Sequence, residues 1–226
     1  MPPPEQLTTV YATDESIAVR AAGDFVTLCP IWQTLASGTD GVIASGSPWV
    51  LTSATVDFET SGVSANHVVQ LVKTGTYRGS GDLLAVESVS GSSLTLRRIY
   101  QAASAGQPPT ASTGVGFVIA TLDPQIEEAS FALNRRFGID PAISLKAPTS
   151  LYDMRDLREA TVLTVLRDRY VAEARGKDGD FWGKVQQLNN TLEEVLGRLQ
   201  VRWTAPGASG FQIETSSLSS SARVTR

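Results

Sequence analysis

Few residues in this chain could do chemistry, and the search starts with its single histidine, His67, and single cysteine, Cys29, among 226 residues. A Ser-His-Asp or Cys-His centre needs an imidazole beside an activated nucleophile. His67 instead falls in Ala65-Asn66-His67-Val68-Val69, a stretch that reads as a strand. One histidine and one cysteine also fall short of the three or four protein ligands of a zinc site. Cys29 lies within Phe25-Val26-Thr27-Leu28-Cys29-Pro30-Ile31-Trp32 and reads as a small buried hydrophobe with no base nearby.

Carboxylates are the next candidates. Glu127/Glu128 and Glu193/Glu194 are adjacent pairs, but both sit on amphipathic helical patterns, as a helix-start charge and a solvated face. Asp178-Gly179-Asp180 resembles part of a calcium loop without the remaining ligands or the closing bidentate glutamate. Gly75–Gly81 is glycine-rich but lacks the Gly-Lys-Ser/Thr of a phosphate loop and has no helix behind it. The residues therefore predict no catalytic centre, no metal and no cofactor. Arg155, Arg158, Arg167, Arg169 and Arg175 decorate one predicted helix, interleaved with Asp and Glu. That pattern favours salt bridges within or between subunits, with phosphate contact as the alternative.

Composition narrows the class further. The net charge of −4 is spread over mixed signs, so no basic face announces nucleic-acid binding. A single cysteine excludes an intrachain disulfide. The start, Met-Pro-Pro-Pro-Glu-Gln, has no signal-peptide pattern, and no run approaches the roughly 20 apolar residues of a membrane span. The expectation is a soluble protein made in the cytoplasm.

The elements that would position these residues fall into four regions: a helical segment at 1–36, a β-domain at 37–122, a helical bundle at 123–203 and a tail at 204–226. Thr13 or Asp14 can cap a helix carrying Ile17, Ala18, Ala21, Ala22 and Phe25, with Pro30 beyond its end. Short β-branched runs then predict five strands, near Trp49–Phe58, His67–Val72, Leu83–Ser88, Ser93–Ile99 and Gly116–Thr121. Ser90-Gly91-Ser92 reads as a hairpin turn and Ala102–Gly114 as an exposed loop. Asp123-Pro124 opens a helix that Gly138 can end.

Leu151–Arg175 has an uncharged centre, Ala160-Thr161-Val162-Leu163-Thr164-Val165-Leu166, as a helix buried on several sides would. Phe181, Val185, Leu188, Leu192, Val195 and Leu199 follow spacings of four and three, a coiled-coil-like seam. A short polar turn between these two helices predicts an antiparallel hairpin. The serine-rich tail after Thr204 has no periodic face and predicts an extended segment that orders on a partner. The expected class is thus α+β: a helical bundle with a long antiparallel helical hairpin, an inserted small antiparallel β-barrel or sandwich, and an extended C-terminal tail.

At this level the pieces TVYATDESIAVRAAGDFVTLCPIWQTLASGTDG, WVLTSATVDFETSGVSANHVVQL, ATLDPQIEEASFALNRRFGID and LYDMRDLREATVLTVLRDRYVAEA resemble the head–tail connector (adaptor) family of tailed bacteriophages. The resemblance spans most of residues 1–203 and rests on structural rather than catalytic motifs. It implies a virion structural protein, not an enzyme: a ring, usually of twelve subunits, beneath the portal. Such a ring extends the channel for double-stranded DNA, which passes without sequence-specific binding, and offers a platform to the next tail or neck protein. On that reading Arg155, Arg158, Arg167, Arg169 and Trp203, with Phe211, Ile213 and Leu218 of the tail, form the subunit or portal interface. The β-domain is larger than a minimal adaptor needs. Two alternatives follow: another neck, tail-completion or minor capsid decoration protein, or a binding module with Trp49, Tyr77 and Tyr100 as stacking residues.

Overall fold

A computed structural model describes residues 9–46, 48–72, 82–101, 110–140, 151, 154–174, 180–204 and 213–216. The chain divides into two units, Thr13–Pro124 and a second made of 1–12 with 125–226.

The first unit is a closed antiparallel barrel of six strands. They are β1 (Thr34–Ile43), β2 (Trp49–Thr52), β3 (Val68–Val72), β4 (Leu83–Ser90), β5 (Ser93–Arg98) and β6 (Ser112–Ala120). The order around the barrel is β1-β2-β5-β4-β3-β6, with β6 returning to β1. Alternation puts Leu94 and Leu96 of β5 inside, opposite Leu51 and Trp49 of β2. Phe58, Leu71, Leu84, Phe117 and Ile119 complete the interior, with the Phe58 and Phe117 rings edge to face at 5.5 Å. The core is filled by side chains, as the small bore of a six-stranded barrel requires.

Five of these strands overlap the β-branched runs, though β2 ends at Thr52 rather than Phe58 and β6 starts at Ser112, inside the stretch read as a loop; β1 escapes that signal. Its sequence, Thr-Leu-Ala-Ser-Gly-Thr-Asp-Gly-Val-Ile, is poor in strand formers. Its glycines serve closure: a Cβ on Gly41 would lie 2.7 Å from the Val115 carbonyl oxygen, and one on Gly38 2.7 Å from the Phe117 ring. Register shifts against β6 at Gly38/Gly41 and Gly41/Val42 bend the strand into the barrel wall. Two short helices, α1 (Asp14–Arg20) and α2 (Phe25–Leu28), and a 3-10 turn at Ile31–Gln33 precede β1. The single expected helix is broken at Ala21–Asp24. Thr13 caps α1 through a capping box with Ser16.

The second unit holds α3 (Asp123–Phe137, beginning at the boundary), α4 (Arg155–Ala174), α5 (Asp180–Arg198), β7 (Val201–Thr204) and β8 (Ile213–Ser216). Gly138 ends α3 with φ 65°, and Ile139 N–H donates back to the Asn134 carbonyl at 2.9 Å. Leu157, Ala160 and Leu163 of α4 pack with Leu192 and Val195 of α5, with Leu199 just beyond its end, and with Leu133 and Phe137 of α3. Thr161 and Thr164 return their hydroxyls to the Leu157 and Ala160 carbonyls, each at 2.8 Å, which lets them sit in an apolar stretch.

The expected class, a helical bundle with a long antiparallel hairpin and an inserted β-module, is overturned. The organising element is the closed six-stranded barrel. It has its own core, and α1 and α2 belong with it rather than with α3–α5. The unrecognised β1 is the reason: without it five strands look like an accessory, and with it the sheet closes. Within the expected tail the described residues Ile213–Ser216 form β8, paired antiparallel with β7, Val201 opposite Ser216 and Thr204 opposite Ile213. Backbone pairing supplies the order that the side-chain pattern lacks.

Candidate functional site

The barrel unit gathers Asp14, His67 and Asp123, remote in sequence, so that one oxygen or nitrogen of each lies within 4.8 Å of the others. Asp14 opens α1, His67 immediately precedes β3, and Asp123 follows β6. A turn at Ser64–His67, continued by Asn66 at φ 72°, delivers the imidazole inward. Asp14 is 1% exposed and His67 5%, while the Asp123 carboxylate stays half open to solvent.

Asp14 Oδ1 accepts from the Leu122 amide at 2.8 Å, but its Oδ2 has no hydrogen-bond partner. Burial pushes the Asp14 carboxyl up to about 7; Asp123 adds to the rise, while the Leu122 amide, Thr121 hydroxyl and His67 oppose it. Asp123 moves the other way, held below the usual carboxylate range chiefly by its hydrogen bond from His67.

Distance alone would let these three groups hold a cation. The hydrogen bonds argue otherwise. The Ser64 backbone N–H donates to His67 Nδ1 at 3.0 Å, and a backbone amide has no other role to offer. Nδ1 is therefore the unprotonated nitrogen, and the ring proton sits on Nε2, 3.0 Å from Asp123 Oδ2. A metal at Nε2 needs that nitrogen bare and a proton on Nδ1, facing a second donor. The same assignment leaves no lone pair for a general base. His67 acts as a strut.

A second polar lock lies beside the first. Arg97 of β5 grips Glu15 of α1 with both terminal nitrogens, Nη2 at 2.7 Å from Oε2 and Nη1 closer still to Oε1. Glu15 Oε1 also accepts from the Tyr100 amide at 2.6 Å, and Tyr100, at φ 54°, places its hydroxyl 3.0 Å from Ser16 Oγ. The Glu15 side chain is 4% exposed; burial alone would raise its carboxyl, but Arg97 and the Tyr100 amide outweigh it and hold it low.

Among the described residues of the barrel unit, the two most exposed large apolar side chains are neighbours. Ile31 is 89% exposed and Trp32 85%, adjacent on the 3-10 turn. The turn is fixed at both ends: Gln33 N–H donates to the Pro30 carbonyl at 2.9 Å, and Thr121 N–H to the Gln33 carbonyl at 3.1 Å.

The expected interface residues fall differently. Arg155, Arg158, Arg167 and Arg169 all lie on α4. Arg167 pairs with Asp168 at 2.7 Å and Arg169 with Glu173 at 3.4 Å, short-range bonds within the helix. Trp203 belongs to β7 and Ile213 to β8. Phe211 and Leu218 lie outside the described residues, as do Tyr77, Arg175, Asp178, Gly179 and Gly75–Gly81. Trp49 is 3% exposed inside the barrel under the Arg98 guanidinium, so it is closed to a stacking ligand, whereas Tyr100 is 54% exposed. Cys29 is a buried thiol outside any disulfide. No described helix is long and apolar enough to cross a membrane.

Sequence reasoning missed Asp14 and Asp123 as a pair because each reads locally as a helix-start residue. It passed over Ile31 and Trp32 because an apolar run before a β-rich region reads as core. The Gly23-Asp24 break and Pro30 were the available signal that this run ends in a turn. Compared with models of known protein families, with characterised proteins and with solved structures, the chain matches none.

Proposed function

We propose that this protein is a non-enzymatic assembly subunit of a virion, a head–tail adaptor that seats beneath the portal and receives the tail. The observation that carries the reading is the Ile31–Trp32 pair. Scattered surface hydrophobes are ordinary, but two adjacent large ones almost wholly in solvent on an anchored turn are the kind of residue that fills a partner's pocket. A ring follows when such a knob meets a different surface of the next copy or of the portal, a heterologous contact that closes by rotation.

His67 supports a mechanical rather than chemical role. The one imidazole is held at both nitrogens and cannot serve as a base. A net charge of −4 is compatible with a channel through which DNA slides, because each basic contact to phosphate adds affinity. The knob belongs to the barrel unit, which also favours a second reading, a neck or decoration protein that docks through its barrel.

The test is to mix the full chain with its cognate portal protein and image the product by electron microscopy, alongside Ile31→Ser and Trp32→Ser. Added density below the portal, lost in both variants, is the expected result. No added density for the wild-type chain would remove the adaptor reading, and binding to a tail or capsid protein instead would favour the second. These surface variants are preferable to truncation near Ala205, which would also remove β8 and leave β7 unpaired.

A further inference from the structure

The chain enters the barrel unit at Thr13 and leaves it at Pro124, and the Asp14–His67–Asp123 cluster sits at both ends of that path. Asp14 holds the exit strand directly, through the Leu122 amide at 2.8 Å. What is unsettled there is Asp14 Oδ2, a buried carboxylate oxygen with no donor, close to a second carboxylate. A buried anion in that position is costly, and beyond the pull of the Thr121 hydroxyl on this carboxyl only a cation or a proton could relieve it. The Ser64 amide on His67 Nδ1 disfavours the cation by keeping the proton on Nε2. The Nε2–H in turn is directed at Asp123, so His67 does not supply the missing donor.

We propose that Asp14 and Asp123 form a proton-operated clamp on the two ends of the barrel unit, closed when Asp14 carries a proton on Oδ2 and loosened when that proton leaves. The protonated Asp14 is neutral while Oδ1 keeps the Leu122 amide, so no uncompensated charge stays buried. After ionisation two carboxylates face one another, and the repulsion falls on the Asp14–Leu122 contact. The titratable groups facing Asp14 are Asp123 and His67; Glu15, next on the same helix, is already engaged by Arg97 and the Tyr100 amide. The upward displacement of the Asp14 carboxyl to about 7 sets the working range near neutrality.

The sign follows from linkage. The folded state holds this proton more tightly than the unfolded chain, so its contribution is complete below about pH 4 and is lost as pH rises through about 7. Asp14→Asn is the matching variant, because its amide is neutral like the protonated acid, close to it in shape, and does not titrate. Melting of the full chain from pH 4 to pH 8 should show the variant gaining on the wild type, the gap widening by roughly 5 °C or more and then levelling. Two wild-type measurements do not depend on the variant: the carbon NMR midpoint of the Asp14 carboxyl, expected near 7, and Leu122 amide exchange, expected to quicken about tenfold or more, beyond its intrinsic change, above pH 7. Parallel melting curves, or a carboxyl midpoint near the ordinary value of about 4, would overturn the clamp. So would a rise in wild-type melting temperature at pH 8 on adding Zn2+ or Mn2+ that Asp14→Asn abolishes, since the cluster would then be a cation site.

Discussion

The barrel unit and the helical unit solve the same problem with opposite materials. In the barrel, polar side chains, some buried and some at the surface, join separate segments: Glu15 to Arg97, Asp14 to Leu122, His67 to Asp123, and Asp40 to Ser53, Ala54 and Thr55. In the helical unit the long-range work falls mainly to Leu157, Leu163, Leu192 and Val195. Several of its ion pairs, Arg167–Asp168, Arg169–Glu173 and Arg198–Glu194, are local. A helix satisfies its own backbone, so apolar packing is what remains to be arranged. A barrel wall built from glycine-rich and serine-rich sequence needs side chains to fix where each loop lands.

The sharpest way to break this comparison is to remove one buried charge. Arg97→Met keeps bulk but strands Glu15 at 4% side-chain exposure with only the Tyr100 amide to answer it. The expected loss is about 3–5 kcal/mol in chemical denaturation at neutral pH. It should shrink as pH falls, because protonating Glu15 removes the stranded charge, while the wild type loses the stability that its lowered Glu15 carboxyl provides above the ordinary range. A loss that stays constant with pH would mean that Arg97 contributes through its packing. In the helical unit, Leu163→Ala should do comparable damage with no charge involved. Leu163 is 1% exposed in the α4–α5 seam, and its truncation is expected to cost about 2–5 kcal/mol, independent of pH.

The two units also differed in how far their sequences could be read. Spacings of three and four announced α4 and α5, because a helix writes its packing face into one continuous segment. Alternation in Leu94-Thr95-Leu96-Arg97 likewise gave β5. What stayed hidden was whatever depends on distant partners. β1 forms because Gly38 and Gly41 let Phe117 and Val115 come close, a property of the pairing rather than of the segment. Nothing in the spacing of residues 14, 67 and 123 indicates that they converge. Glu15 carries no local signal of a distant partner, and only the fold turns it toward Arg97. The β7–β8 pair was concealed for the same reason, since backbone ladders leave little trace in a serine-rich tail.

A milder change asks whether the helical unit contains any barrel-like lock. Tyr11 N–H donates to Ser130 Oγ at 3.2 Å, and its hydroxyl makes a short bond to Asn134 Oδ1, both partners buried on α3. Burial raises the Tyr11 hydroxyl to about 12, so it remains a donor across the physiological range. Tyr11→Phe leaves the Asn134 oxygen without this donor and should cost about 1–2 kcal/mol, read as a lower denaturation midpoint with an unchanged slope. A change of a few tenths would place all of this unit's stability in its apolar seam and sharpen the contrast.

The smallest expected effect is also the one that ties stability to assembly. Arg167 is part-exposed, and its bond is to its own neighbour, Asp168. Adjacent residues on a helix gain little from such a pair, so Arg167→Ala should move the stability of the isolated chain by no more than about 0.5 kcal/mol. That neutrality makes the residue informative. If Arg167→Ala folds normally yet fails to add density beneath the portal, α4 contributes a charge to the contact, as its alternating arginines suggest. If it assembles as the wild type does while Trp32→Ser does not, docking runs through the barrel's apolar knob and does not use the Arg167 charge.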